Sequence, residues 1–341
     1  MAFIDLRSDT VTKPGKAMLE AMFSAPVGDD VFSEDPTITE LEVYAAKLFG
    51  KEAALFCPSG TMTNQIAIKA HTEPGNEVIC DVNSHIYNYE GGGISFNSGV
   101  QAKLLQGQEG RLSAELIEPA INGDFDWLTN TRLVSLENTV NRAGGSYYTL
   151  AQIKPIHALC QAKNLKLHLD GARIFNALTE SGESTLETGK YFDSISICLS
   201  KGLGAPVGSL LLGDKEFIKK ARRIRKVFGG GMRQAGFLAA AGLYALKHNV
   251  ERLKEDHLRA KKLEACLLAL PYVESVLPVY TNIVIFNLKK EVISGEDFEK
   301  KLREKNIKIS AFGKQTIRMV THLDFTEDML ETSLNVLKSL V

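Results

Sequence analysis

Apolar and polar positions alternate with a period of two in several short stretches, separated by segments of helical period. Residues 194–209 read SISICLSKGLGAPVGS, with Ile195, Ile197 and Leu199 on one side and Ser194, Ser196 and Cys198 on the other. That period, with β-branched residues, predicts a short buried strand. Gly202, Gly204, Pro206 and Gly208 then exclude a regular continuation. Residues 164–175, NLKLHLDGARIF, repeat the pattern: Leu165, Leu167 and Leu169 alternate before Asp170 and Gly171 end the strand. Further strands are predicted at 53–56, at 77–81 and from 132. Helices are predicted at 16–22, 38–49, from Thr61, and at 150–163, 216–227 and 235–248. Strands alternating with helices define an α/β chain. From about Val250 the pattern changes to a compact α/β unit, whose last helix carries Leu330, Leu334, Leu337 and Val341 on one stripe. The expected organisation is a large domain at 16–248, an N-terminal arm at 1–15 and a small C-terminal domain at 249–341.

Composition narrows the class. A length of 341 residues, 44% of them hydrophobic, supplies ample core for two units. A net charge of −1 gives no electrostatic case for nucleic acid or a membrane surface. The cluster Lys219, Lys220, Arg222, Arg223, Arg225 and Lys226 reads as the solvated face of a helix. Five scattered cysteines without a C-x-x-C pair argue against a disulfide framework or a zinc site, and no metal site is expected. The start, MAFIDLRSD, has no apolar signal core, and 236–246 is too short to span a bilayer. The expectation is a reduced, soluble, cytoplasmic protein.

Lys201 follows its strand directly and enters a glycine-rich turn. A lysine held at both ends among small apolar residues can present a neutral amine to carbonyls; a solvated surface lysine is the competing reading. Asp170 ends another strand, and ligands of open α/β sheets gather at carboxyl ends. A carboxylate for a pyridine nitrogen and a lysine for a Schiff base are the two groups that pyridoxal 5′-phosphate (PLP) needs. Ser59, Gly60 and Thr61 open a helix, which fits either a phosphate cradle or ordinary capping. His85, just past a strand end, reads as a structural hydrogen-bonder or a group facing the ligand. Arg233 precedes a helix, where a cation is unfavourable without an anion nearby. Arg318, in TIRMVTH, fits a strand-edge salt bridge as well as a carboxylate clamp.

The pairing of HLDGARIFNA with ICLSKGLGAPVGSLL resembles the L-threonine aldolase family, PLP enzymes of the aspartate-aminotransferase fold (PLP fold type I). The resemblance runs from Asp5 to Leu323 through several motifs in order. It implies a mostly parallel sheet between helices, PLP as cofactor and a homodimer or homotetramer with shared active sites. It also implies retro-aldol cleavage of small β-hydroxy-α-amino acids to glycine and an aldehyde. Lys201 and Asp170 would hold the cofactor with Gly60, Thr61, Arg173 and a stacked His85. Arg233 would reach the phosphate of a neighbouring subunit, and Ser8, Arg173 and Arg318 would fix the substrate carboxylate. His85 is the candidate base for the β-hydroxyl. Two departures stand out: Phe32 where the family usually has tyrosine, and Val140 where LENTHN has its histidine. The second puts the allo/threo preference in question. Rival expectations are β-elimination, racemisation or transamination on the same scaffold, a PLP-fold protein without catalysis, and a nicotinamide enzyme. The last is weak, because Gly202-Leu203-Gly204 meets Pro206 and no helix start.

Overall fold

The computed structural model describes residues 3–340. Its larger sheet has seven strands, in the spatial order Ala53–Cys57, Ser209–Gly213, Ser194–Cys198, Lys166–Gly171, Asn130–Glu137, Asn76–Asp81 and Gln101–Leu105. Ser209–Gly213 runs antiparallel to both its neighbours; every other pairing is parallel. This is the α/β class expected from the sequence, with a mostly parallel sheet. Helices cover both faces, so strand Ser194–Cys198 is buried at every position. Its serines therefore face protein rather than solvent. Ser196 Oγ lies 2.6 Å from Thr63 Oγ1, and Ser194 Oγ lies 2.8 Å from ring nitrogens of both His71 and His168.

A second, antiparallel sheet orders Ser310–Ala311, Thr316–Val320, Ile283–Leu288 and Val273–Val276. The N-terminal arm joins this unit: Ile4–Asp5 pairs in parallel with Ile307–Lys308, and Val320 N donates to Leu6 O at 2.9 Å. Leu6 and Ile4 belong to the same buried cluster as Leu263, Phe286, Phe298 and Leu330, separate from the cluster under the large sheet. We propose on that separation that 16–248 and 249–341, with the arm at 1–15, are the working domains. Helix Glu327–Lys338 buries Leu330 and Leu337, with Leu334 packed alongside; Val341 lies outside the described residues.

Two details differ from the sequence reading. Strand Gln101–Leu105 has no apolar alternation because it is an edge strand, half-buried for most of its length. Of the glycines at 91–93, only Gly93 marks close backbone packing. A Cβ there would stand 2.5 Å from Gln65 Cδ, whereas Gly91 and Gly92 face open space and are there for φ of 62° and 72°.

Candidate active site

The carboxyl ends of the parallel strands open onto a cavity of about 230 Å³. Its lining includes Ser59, Gly60, Thr61, His85, Asp170 and Lys201, so five of the residues singled out from the sequence, with the helix cap, meet in one place. A larger hollow of about 650 Å³, lined by Phe175, Glu183 and Lys254 among others, contains none of them.

Each wall follows from local sequence. Helix Gly60–His71 starts where Ser59 Oγ accepts from Met62 N at 3.2 Å, leaving other first-turn N–H groups and the positive end of the dipole toward the cavity. Gly60 is required there, since a Cβ would fall 2.5 Å from Cys198 Sγ. One helical turn on, Asn64 shares Gly60's face. Its Nδ2 donates to Asp170 Oδ2 and to Glu90 Oε1, both at 2.9 Å. Two carboxylate acceptors fix that amide's orientation, so Asn64 Oδ1 faces His168 Nε2 at 3.2 Å as an acceptor. His168 therefore carries its proton on Nε2 and takes one from Ser194 Oγ at Nδ1. Burial holds His168 neutral, pushing its pKa down to about 4. A buried polar chain from Asn64 through His168 to Ser194 thus steadies Asp170.

His85 Nδ1 lies 3.0 Å from Glu90 Oε1, which leaves Nε2 available. Burial alone would lower its pKa, but the Glu90 bond and the charges of Asp170 and Glu90 outweigh that and raise it. Lys201 is close enough to influence the charges of both His85 and Asp9.

The arm completes the edge of the site. Ser8 caps the short 3-10 turn Asp9–Val11. Asp9 is fully buried and takes Arg173 in a fork, Oδ2 from Nε at 2.8 Å and Oδ1 from Nη2 at 2.7 Å. Burial opposes that charge, but Arg173 outweighs it, with help from Lys201 and Asn282, and holds the Asp9 carboxyl well below the usual range. Arg173 was expected to grip a ligand; most of its fork is taken by Asp9. Arg318 is different. Its partners are both neutral, Asn141 Oδ1 at 2.8 Å from Nη1 and the Arg7 carbonyl at 3.0 Å from Nη2, and its buried Nε has none. Burial, then repulsion from Arg173, lower its pKa to about 10. Such a cation suits an incoming carboxylate.

Two sequence candidates stand apart from the cavity. Arg233 is half-exposed on Asp29, 2.9 Å away, with Phe32 beneath it at 6.0 Å. Val140 stands where the family motif has the histidine that bears on the allo/threo preference. It is 1% exposed and packs against Gly110, where a Cβ would come within 2.5 Å of Val140 Cγ1. Sequence reasoning missed Asn64, Glu90 and Asp9, while Glu137 falls at a polar strand end where the site was expected. The spacing from Gly60 to Asn64 was a usable signal; the carboxylates gave none.

A lysine and a carboxylate facing one small cavity at the strand ends, with a helix N-terminus on its wall, mark the chain as an α/β enzyme. The chain belongs to the beta-eliminating lyase family, whose model matches residues 5–291. It is 44% identical over 328 residues to the low specificity L-threonine aldolase of Escherichia coli K12, covering 96% of each chain. It is 43% identical to low-specificity L-threonine aldolase 1 of Arabidopsis thaliana, covering 96% of this chain and 93% of that one. The fold matches a Leishmania major threonine aldolase with a TM-score of 0.84 at 22% identity, over 99% of both chains.

Proposed function

We propose that the protein uses PLP to cleave L-threonine, L-allo-threonine and related β-hydroxy-α-amino acids to glycine and an aldehyde. The observation that carries this is the meeting of Lys201, Asp170, His85 and the Gly60–Thr61 helix start in one cavity. The residues fit the group: a helix N-terminus for its phosphate, an acceptor carboxylate for its ring nitrogen and an amine for its aldehyde. Bound there, PLP would supply an electron sink for cleavage of the Cα–Cβ bond.

The chain's own residues do the rest. Asn64 and the Ala172 N–H hold Asp170 as an acceptor facing the cavity. Arg318, with Ser8 beside Asp9, takes the substrate carboxylate, and this orients the amino acid so that the bond to be broken is aligned. His85 Nε2 takes the β-hydroxyl proton, while Glu90 on Nδ1 favours the protonated ring that results. Purified protein given L-threonine and L-allo-threonine in turn should yield glycine and acetaldehyde. 2-Oxobutyrate and ammonia as the products would point to elimination instead.

The same reading has the protein working as a homodimer or homotetramer. Phe23, Phe32, Phe96 and Val227 are each more than two-thirds exposed, a lot of apolar surface to leave in water. Arg233 would then leave Asp29 for the cofactor phosphate of a neighbouring subunit. Arg233→Ala should weaken PLP retention, and mixing it with Lys201→Ala should restore activity, because each hybrid has one site with both residues intact. Confirmed subunit exchange without rescue would confine Arg233 to its own chain. No helix among the described residues is long and apolar enough to cross a membrane, and the cysteines are free; a reduced cytoplasmic setting fits both.

Val140→His should act as an overpacking change. We expect about 1–3 kcal/mol of lost stability in a denaturant titration. The ratio of kcat/KM for L-threonine over L-allo-threonine should stay within about twofold, less than one net hydrogen bond would move it. A tenfold shift in that ratio would put the side chain back beside the hydroxyl.

A further inference from the structure

Glu137 ends the strand Asn130–Glu137, is buried, and meets backbone N–H groups at both oxygens. His85 N donates to Oε2 at 2.7 Å and Asn141 N donates to Oε1 at 2.9 Å. His85 carries the ring at the cofactor end of the site. Asn141 carries the side chain that receives Arg318 Nη1 at 2.8 Å at the carboxylate end. We propose that Glu137 is a proton-linked positioning residue: its ionised carboxylate ties the backbones of His85 and Asn141 together, so the two ends of the site are set jointly and loosen jointly when it gains a proton. This rests on the cofactor assignment above.

The reason lies in donor and acceptor counting. A carboxylate only accepts, so each oxygen can serve one N–H. A carboxylic acid turns one oxygen into a donor facing another donor, and one of the two bonds is lost. Burial pushes the Glu137 carboxyl up, and Asp170, its partner across the parallel strands, adds to this, to about 7. The other titratable groups that feel its charge are His85, Arg173 on the loop after Asp170, Tyr148, and Cys80 on strand Asn76–Asp81. Among the described residues no cationic side chain hydrogen-bonds to it; the two N–H bonds and the charge of His85 favour the ionised form, and burial with Asp170 outweighs them.

The test uses apoprotein titrated with PLP, read by the absorbance of the bound cofactor. Wild type, Glu137→Gln and Glu137→Asp are compared at about pH 8.5 and about pH 6, either side of the Glu137 transition. Glutamine offers one acceptor oxygen, as the protonated acid does. Comparing variants at one pH cancels the titration of PLP and of Lys201. Glu137→Gln should bind PLP about tenfold more weakly than wild type at the higher pH and within about twofold at the lower. Glu137→Asp should keep a pH-linked difference from Glu137→Gln. Asn141→Ala cuts only the Arg318 arm; it should raise KM about tenfold with PLP affinity unchanged. An equal wild-type to Glu137→Gln ratio at both pH values, or an unchanged KM in Asn141→Ala, overturns the proposal. If Glu137→Gln does not fold, the KM of Asn141→Ala decides it. Failure of wild type to bind PLP at all would instead overturn the cofactor assignment.

Discussion

Lys201→Ala should give a folded protein that neither holds the cofactor covalently nor turns over substrate. Lys201 lines the cavity rather than the core, so its loss opens no void among packed side chains. Stability should stay within about 0.5 kcal/mol of wild type, as for other substitutions away from packed features. Activity is another matter, because no other lysine lines this cavity. A nucleophile that forms the covalent link cannot be replaced by water. The expected loss is at least about 10⁴-fold in kcat/KM, or about 5.4 kcal/mol at 1.36 kcal/mol per tenfold. Borohydride treatment followed by peptide mapping should label Lys201 in wild type and nothing in the variant. A label at another lysine, with turnover retained, would sink the assignment of Lys201.

The parts of this site legible in the sequence are those whose chemistry sits beside a local pattern. Asp170 and Lys201 each close a run of alternating residues, and Gly60 opens a helix. Period-two alternation placed Ile195 and Ser196 on opposite faces, but it could not say that both faces are covered. Only the parallel pairing, which depends on strands far apart in sequence, decides that. The polar supports were illegible for the same reason. Asp9 and Arg173 are 164 residues apart, and Asn64 and Asp170 are 106 apart. No periodicity links them; the fold brings them together. Glu137 could be seen as a polar strand end, yet its two N–H partners come from the start of helix His85–Asn88 and from the turn after its own strand. For Val140 the sequence left the side chain unplaced, because a motif gives a position along the chain, not a direction. Here that direction is toward Gly110.

The second large effect is on stability, and it comes from the arm. Asp9 and Arg173 form a buried fork, with side chains 0% and 6% exposed, joining residues 1–15 to the loop after Asp170. Asp9→Asn keeps the shape and removes the charge, leaving the Arg173 guanidinium in a dry place without its counter-ion. Breaking one side of a buried pair costs about 3–5 kcal/mol, and we expect a loss of that size at neutral pH in urea or thermal unfolding. Arg173→Gln in the same chain should recover part of it, since the uncompensated charge is then gone. The pH dependence gives a sharper signature. The Asp9 carboxyl is held below its unfolded value, so its contribution is fully present above that value, about 3.9, and is lost as pH falls toward the folded value. The gap between wild type and Asp9→Asn should therefore be flat from about pH 8 to about pH 5 and narrow only below about pH 4. A gap under about 1 kcal/mol, the scale of an exposed pair, would mean that water reaches the fork. A gap that stays constant into strong acid would mean that the loss comes from packing and not from the charge.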